Sequence, residues 1–348
     1  MIQFAVTPKS DRWARDYSLL VHEKGLVTRV FRALDAIVGL FNPTHTYEWV
    51  IKIKGQPDTY HTFTPQTVAD YIDRVKTLFV AFLSMRPTPM VAEIAGFETI
   101  IARNLINRKF IVDHHLQNEQ SSIASKIVDA MHYKEVRDKV YSEIAHRMNI
   151  KTCVYCNANY AISDINGNGY FDLDHWKPKS LYPYLCVAFY NLQISCASCN
   201  RRKSNSDLEF FQLWNDQIRT DREILKFDLS KADISRYWIT HLKEELNIKL
   251  TNVDPHDAAM LTNTEEHLHI STRYKEHRDV AEEMLWRAKA YSQGHWTSFG
   301  NALDTLGITE EDKRRFLMGT YVQRDDIYFR PLTKMAQDVA KAAGVILR

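Results

Sequence analysis

The sequence predicts an α+β protein that is mainly helical, with one small metal-held unit set between two helical regions. Three observations carry this expectation. Apolar residues recur at helical spacing over several long segments on both sides of the centre. Alternating runs bounded by Gly, Asn and Pro mark a few short strands. Two Cys-x-x-Cys pairs, Cys153/Cys156 and Cys196/Cys199, bracket the middle of the chain. The expected organisation is a mainly helical N-terminal region over 1–150 for DNA or partner binding, a zinc-bound finger over 151–207, and a mainly helical C-terminal region over 208–348.

In the first region, residues 26–41 have helical periodicity and stop before Asn42-Pro43, while 46–52 alternate as a short strand ahead of the turn-like Gly55-Gln56-Pro57. Residues 67–85 read as an amphipathic helix ended by Arg86-Pro87, and 91–107 and 121–148 as two more. The basic residues on these segments, Arg12, Arg15, Arg29, Arg32, Arg103, Arg108 and Lys109, fit solvated helix faces better than a nucleic-acid surface. Asp113-His114-His115 has no cysteine framework beside it and reads as a helix start or surface histidines.

In the last region, helices are expected over 234–246, over 265–293 with Gly294 as its stop, and over 309–317, which opens with Thr-Glu-Glu-Asp. His267, His269 and His277 lack a fourth ligand in view and read as surface residues. No Gly-rich phosphate loop occurs, so any nucleotide hydrolysis would belong to another polypeptide.

Composition narrows the class. A chain of 348 residues that is 45% hydrophobic and 25% charged belongs to the globular range. Its net charge of +2 gives no global argument for nucleic acid, which must come from local clusters. No run reaches the ~18 apolar residues of a membrane span, and no secretion signal opens the chain, so a cytoplasmic protein is expected. In that setting five cysteines, four of them in two close pairs, favour metal over disulfides.

The two pairs together supply a four-thiolate set for structural zinc. A redox role is disfavoured because neither pair has a thioredoxin-like strand-helix context, and Cys186 reads as a buried free thiol. The interval between the pairs exceeds the ~15–20 residues of a simple zinc ribbon, so it holds an insert. Within it, Asn166-Gly167-Asn168-Gly169 is a turn signal joining strands near 158–164 and 170–174. Asp174 and His175 stand at a strand end, pointing to different sides unless the backbone turns at Trp176-Lys177-Pro178. Residues 191–194 form a second short strand, and 196–203 start a helix that places Asn200 just after Cys199. Lys177, Lys179, Arg201, Arg202 and Lys203 crowd the same stretch, as phosphate contacts require. Trp176, Tyr182 and Tyr184 fit packing better than base stacking.

These residues resemble the HNH nuclease family, whose fold is a ββα-metal finger around one divalent ion. The matching residues are Asp174-His175, Asn191 and Asn200, with Cys153, Cys156, Cys196 and Cys199 as in the zinc-bearing members. The resemblance implies a DNA endonuclease with His175 as general base and Asp174 and Asn200 holding Mg²⁺ or Mn²⁺. It further implies that Asn191 steadies His175 or its loop, and Lys203 matches the family's Cys-Asn-x-x-Lys. The wording L-D-H-W-K-P-K-S, then F-Y-N-L, then S-C-A-S-C-N is similar to the HNH subunits of bacterial anti-phage systems of the Septu and retron-associated type. There the nuclease accompanies a separate ATPase, so double-stranded DNA and an ATPase subunit are the expected partners. One finger cuts one strand, so a double-strand break calls for a homo-oligomer or two visits. The competing expectations are a non-catalytic zinc-finger protein that binds nucleic acid or acts as a scaffold, and a restriction-type nuclease.

Overall fold

Strand β1 (Ile2–Ala5) leads into helix α1 (Pro8–Glu23) in a computed structural model that describes residues 1–290 and 300–344, without the side chains of 116–118. Helix α1 starts where Thr7 and Ser10 exchange side-chain-to-backbone hydrogen bonds, with Pro8 pre-set for the first turn. Gly25, left-handed at φ 66°, turns the chain into α2 (Leu26–Val38). A hairpin of β2 (Tyr47–Ile51) and β3 (Thr59–Phe63) precedes α3 (Pro65–Phe82), which Thr64 caps. The expected helix over 91–107 is instead broken among α4 (Pro87–Ala92), α5 (Ile94–Glu98) and α6 (Arg103–Ile106), with Ala102 extended between the last two.

A second hairpin, β4 (Phe110–Val112) and β5 (His115–Gln120), joins the first in an antiparallel sheet ordered β3-β2-β4-β5. Asp113 and His114 sit in its turn rather than at a helix start, both with positive φ. Phe41, Tyr47, Trp49, Phe63 and Phe110 pack together there, with Trp49 stacked on Phe63 at 4.2 Å. Residues 121–148 are also interrupted. Helix α7 (Ile123–Ala130) stops at left-handed His132, and the chain resumes through α8 (Tyr133–Val136), one π turn and α9 (Ser142–Met148).

The central stretch opens with a hairpin, β6 (Ile162–Ser163) and β7 (Gly169–Tyr170). Its turn is held by the Asp164 carboxylate, which accepts the N–H groups of Asn166 and Asn168 at 2.9 and 2.8 Å. Strands β8 (Asp172–His175) and β9 (Leu192–Ser195) then pair antiparallel, with Asp174 opposite Gln193 and His175 opposite Leu192. Helix α10 (Ala197–Lys203) follows β9 directly.

The remaining elements are β10 (Trp214–Asn215), β11 (Arg222–Glu223), β12 (Leu225–Asp228), α11 (Lys231–Thr240), β13 (Lys249–Asn252), α12 (Ala258–Leu268), α13 (Ile270–Tyr274), α14 (Arg278–Ala290), α15 (Glu310–Met318) and α16 (Thr333–Ala342). The expected helix over 265–293 is divided because His269 turns left-handed at φ 51°, and the Glu265 carboxylate accepts the N–H of Ser271 in the next helix. The far end of that expected helix, 291–293 with Gly294, lies outside the described residues. Helix α11 stops earlier than expected, at left-handed His241.

The three stretches are stitched together. Strand β1 pairs parallel with β10 and antiparallel with β11, more than two hundred residues on. Tyr328 donates its hydroxyl to the Ile2 carbonyl at 2.9 Å, and its own carbonyl accepts from Lys151 N–H at 2.8 Å. One buried apolar cluster runs through all three. Among the described residues, no helix is long and apolar enough to cross a membrane.

Candidate functional site

The four paired cysteines come together. Cys153 and Cys156 occupy a tight turn before the β6–β7 hairpin, Cys196 stands at the start of α10, and Cys199 lies within it. All four are buried, with their sulfurs within 4.8 Å of one another, and the Cys156 and Cys196 sulfurs 4.0 Å apart. Tetrahedral zinc with sulfurs at ~2.3 Å requires sulfur–sulfur separations of about 3.8 Å, so the donor set fits zinc. Its surroundings fit as well. Asn159 Nδ2 and Ala158 N–H point at the Cys196 and Cys156 sulfurs at 3.4 and 3.5 Å. Arg273, from α13, donates to the Cys199 sulfur at 3.3 Å, placing a cation beside a group that keeps net negative charge when metal-bound.

The first turn is pinned from a distance. Asn157, left-handed at φ 51° and fully buried, donates through Nδ2 to Thr152 Oγ1 at 2.9 Å and to the Ile327 carbonyl at 2.7 Å. Its Oδ1 accepts from Lys334 N–H at 2.9 Å. Tyr274 donates its hydroxyl to the Cys156 carbonyl. Every polar atom of the Asn157 side chain therefore has a partner, which is what permits its burial.

A cleft of about 380 Å³ opens alongside, and Asp172, Asp174, His175, Asn200 and Arg201 line it together with Tyr133, Arg137 and Lys179. Strand alternation places Asp172 and Asp174 on one face of β8. The strand ends at His175 and the chain bends at Trp176 and Lys177, which lets His175 reach the same cleft. Asn200 donates Nδ2 to Asp172 Oδ2 at 3.0 Å, so its Oδ1 remains an acceptor. Oxygen donors of this type suit Mg²⁺ or Mn²⁺, not a soft metal.

His175 is buried and hydrogen-bonded from Nε2 to the Cys186 carbonyl at 3.0 Å. A carbonyl only accepts, so Nε2 carries the proton and Nδ1 is left as the basic nitrogen. Burial, reinforced by nearby Lys179, takes the imidazole down to about 3, so it is neutral at physiological pH. Tyr133 packs against its ring at 4.9 Å and anchors β8 by donating to the Leu173 carbonyl at 2.9 Å. Asn191 holds the loop backbone, with its side-chain hydrogen bonds going to Lys177 and Leu185. It accepts from Lys177 N–H at 2.7 Å and donates to the Lys177 and Leu185 carbonyls at 3.1 and 3.0 Å.

Asp174 is engaged from the protein side. It is 3% exposed, accepts from the Tyr155 hydroxyl, and meets Lys203 Nζ at 3.2 Å. Burial pushes its carboxyl up against the opposing pull of Lys203 and Tyr155. Lys203, expected at a phosphate, is instead 1% exposed, and its ammonium also donates to the His175 carbonyl at 2.7 Å. Helix geometry explains this: Cys199 and Lys203 are four residues apart on the buried face of α10, whereas Arg201 and Arg202 are exposed. Arg201 and Lys179 line the cleft, while Lys177 lies over the Trp176 ring at 4.8 Å.

Tyr182 and Tyr184 are packed inside, the latter stacked on Phe97 at 3.7 Å. Arg29 and Lys109 are engaged by Glu135 and Glu119 at 2.8 and 2.7 Å. His45 and Glu48 take up Asp113 and His114 at 2.6 and 2.7 Å.

Three contributors do not stand out in the sequence reading. Asp172 is detectable, because Asp-Leu-Asp on a strand puts both carboxylates on one face. Tyr155 and Arg273 carry no signal beyond their positions.

Over 112 residues, 32% of this chain, the protein is 28% identical to the Septu protein PtuB of Bacillus thuringiensis. The match spans 41% of that relative's length. No family profile matches the chain, and no solved structure does.

Proposed function

We propose that this protein is a metal-dependent HNH-type endonuclease that hydrolyses phosphodiester bonds of DNA. The observation that supports it best is the convergence of Asp172, Asp174, His175 and Asn200 on one cleft beside the four-cysteine cluster. Hydrolysis needs a deprotonated water, neutralisation of charge on the phosphate, and help for the departing 3′ oxygen. His175 would meet the first need: with Nε2 tied to the Cys186 carbonyl, Nδ1 is the nitrogen left to take the water's proton, and its burial-lowered basicity makes it a weak base for that step. Asp174, Asn200 Oδ1 and Asp172 would hold Mg²⁺ or Mn²⁺. When bound, that ion supplies Lewis-acid stabilisation of the charge on phosphate and leaving group. Arg201 and Lys179, which line the cleft, would meet the phosphate backbone there, and Lys177 and Arg202 are proposed as further phosphate contacts outside its lining.

His175→Ala will lower plasmid nicking in Mg²⁺ or Mn²⁺ by roughly 10²–10⁴-fold, with zinc content and fold retained. Unchanged cleavage would remove His175 from the base role. Absence of cleavage in the unmodified protein, alone and with its partner, would favour a non-catalytic zinc-held binding protein instead.

The similarity to Septu protein PtuB supports a place in bacterial anti-phage defence, and the family resemblance of the central stretch extends that reading to a separate ATPase as partner subunit. Affinity purification from the native host is expected to recover an ATPase in stoichiometric amount. Full nuclease activity of the isolated chain with no ATPase recovered would argue against that assignment, and a co-purifying methyltransferase would point to restriction.

A further inference from the structure

The groups that surround Asp174 extend the assignment, and the extension rests on reading Asp174 as a ligand of the catalytic cation. Tyr155 lies between Cys153 and Cys156, with its ring fully buried. Its hydroxyl donates to Asp174 Oδ2 and accepts from Gln193 Nε2 at 2.7 Å. Gln193 is itself fixed. Its Nε2 also donates to the Phe211 carbonyl at 3.2 Å, and its Oε1 accepts from Leu213 N–H at 2.5 Å. Lys203 Nζ lies 3.2 Å from Asp174 Oδ2 and 3.5 Å from Oδ1. Oδ2 therefore has two side-chain donors, Oδ1 has the longer of the lysine contacts, and the His175 N–H also donates to the carboxylate.

We propose that Tyr155 is a positioning residue that sets the affinity of the cleft for its divalent cation. The hydroxyl holds Oδ2 inward and keeps Oδ1 available to the cleft. Because Tyr155 is anchored on both sides by cysteines of the four-thiolate cluster, that cluster's rigidity passes to the carboxylate through one hydrogen bond. The zinc site thus does more than hold the fold: it orients a ligand of the second metal. Groups that orient metal ligands in this way are commonly worth 10–100-fold in affinity.

Tyr155→Phe in the full, zinc-loaded chain tests this, since it keeps the ring and deletes only the hydroxyl. Gln193 keeps its bonds to Phe211 and Leu213 and loses one acceptor for its Nε2. Titration with MnCl₂, read from the electron paramagnetic resonance of free Mn²⁺ without DNA, should show binding weakened roughly 10–100-fold, with zinc content close to the parent's and a cooperative thermal transition kept at a modestly lower midpoint. In plasmid nicking, the half-saturating Mn²⁺ concentration should rise by the same factor while the rate at saturating Mn²⁺ is retained. An unchanged Mn²⁺ affinity, in a parent whose binding Asp174→Ala abolishes, would overturn the positioning role and leave the cation site standing. Loss of zinc in Tyr155→Phe would also overturn it, making the hydroxyl a scaffold element. If the parent chain binds no Mn²⁺, the cation reading of Asp174 falls, and this proposal falls with it.

Discussion

Cys196→Ser will yield protein with little bound zinc and no cooperative unfolding of its central region. Structural zinc in small cysteine sites contributes about 10–16 kcal/mol of apparent binding free energy at neutral pH. Whole domains are stable by only about 5–15 kcal/mol, so losing most of that contribution exceeds what the local apolar contacts can offset. The effect will spread beyond the cysteines. Val154 N–H bonds to the Ile194 carbonyl at 3.1 Å, so the first cysteine turn rests on β9, and β9 pairs with the strand that carries Asp174 and His175. Metal analysis together with thermal unfolding monitored by circular dichroism reads the outcome. Cys186→Ser is the control. That thiol is buried but outside the four-sulfur cluster, and the variant should keep its zinc. Full zinc occupancy in Cys196→Ser would rule out a four-thiolate site.

The second large effect comes from Lys203. Lys203→Met will destabilise the protein by about 3–5 kcal/mol, the usual result of leaving one member of a buried ion pair without its partner. Asp174 would retain the Tyr155 hydroxyl but lose the buried cation that faces it, and the His175 carbonyl would lose a donor as well. The penalty belongs mainly to the stranded charge. Combining Lys203→Met with Asp174→Asn should therefore recover much of the loss, because the amide still offers Tyr155 an acceptor and carries no charge. Denaturant unfolding of the two single variants and the double variant gives the coupling directly. Equal destabilisation of Lys203→Met and the double variant would show that the lysine stem, not its charge, matters. The same experiment separates an internal lysine from a DNA-contacting one, since loss of a solvated phosphate contact would weaken DNA binding and leave stability nearly unchanged.

What can be read from sequence follows the range of the interactions concerned. The four cysteines, Asp174, His175, Asn191 and Asn200 lie within about fifty residues and fold around one another, so their spacing already reports geometry. Lys203 is misplaced by a sequence reading because three consecutive basic residues look like one surface patch. Helical phase separates them: Lys203 shares the buried face of Cys199, and its neighbours do not. Helix α1 is absent from the expectation although Thr7-Pro8 and the apolar series Trp13, Ala14, Tyr17, Leu20 and Val21 mark it. Strand β1 is different in kind. Four residues carry too little periodicity to be read alone, and the partners that make them a strand lie beyond residue 213. The breaks at His132 and His269 stay hidden because a left-handed residue in an otherwise periodic run leaves no apolar signature.

The long-range pinning of the first cysteine turn has a consequence for the order in which the protein matures. A ribosome that has delivered residues 1–210 has already made every side chain of the acidic cleft. It has not yet made Tyr274 and Ile327, which hold the Cys153–Asn157 turn, or Arg273, which faces the cysteine sulfurs. The cleft is thus written early and completed late, and its last supports arrive only from Ile327 onward. In a chain proposed to cut DNA, this delay means that an abandoned or prematurely terminated product carries the reactive residues without the frame that aligns them.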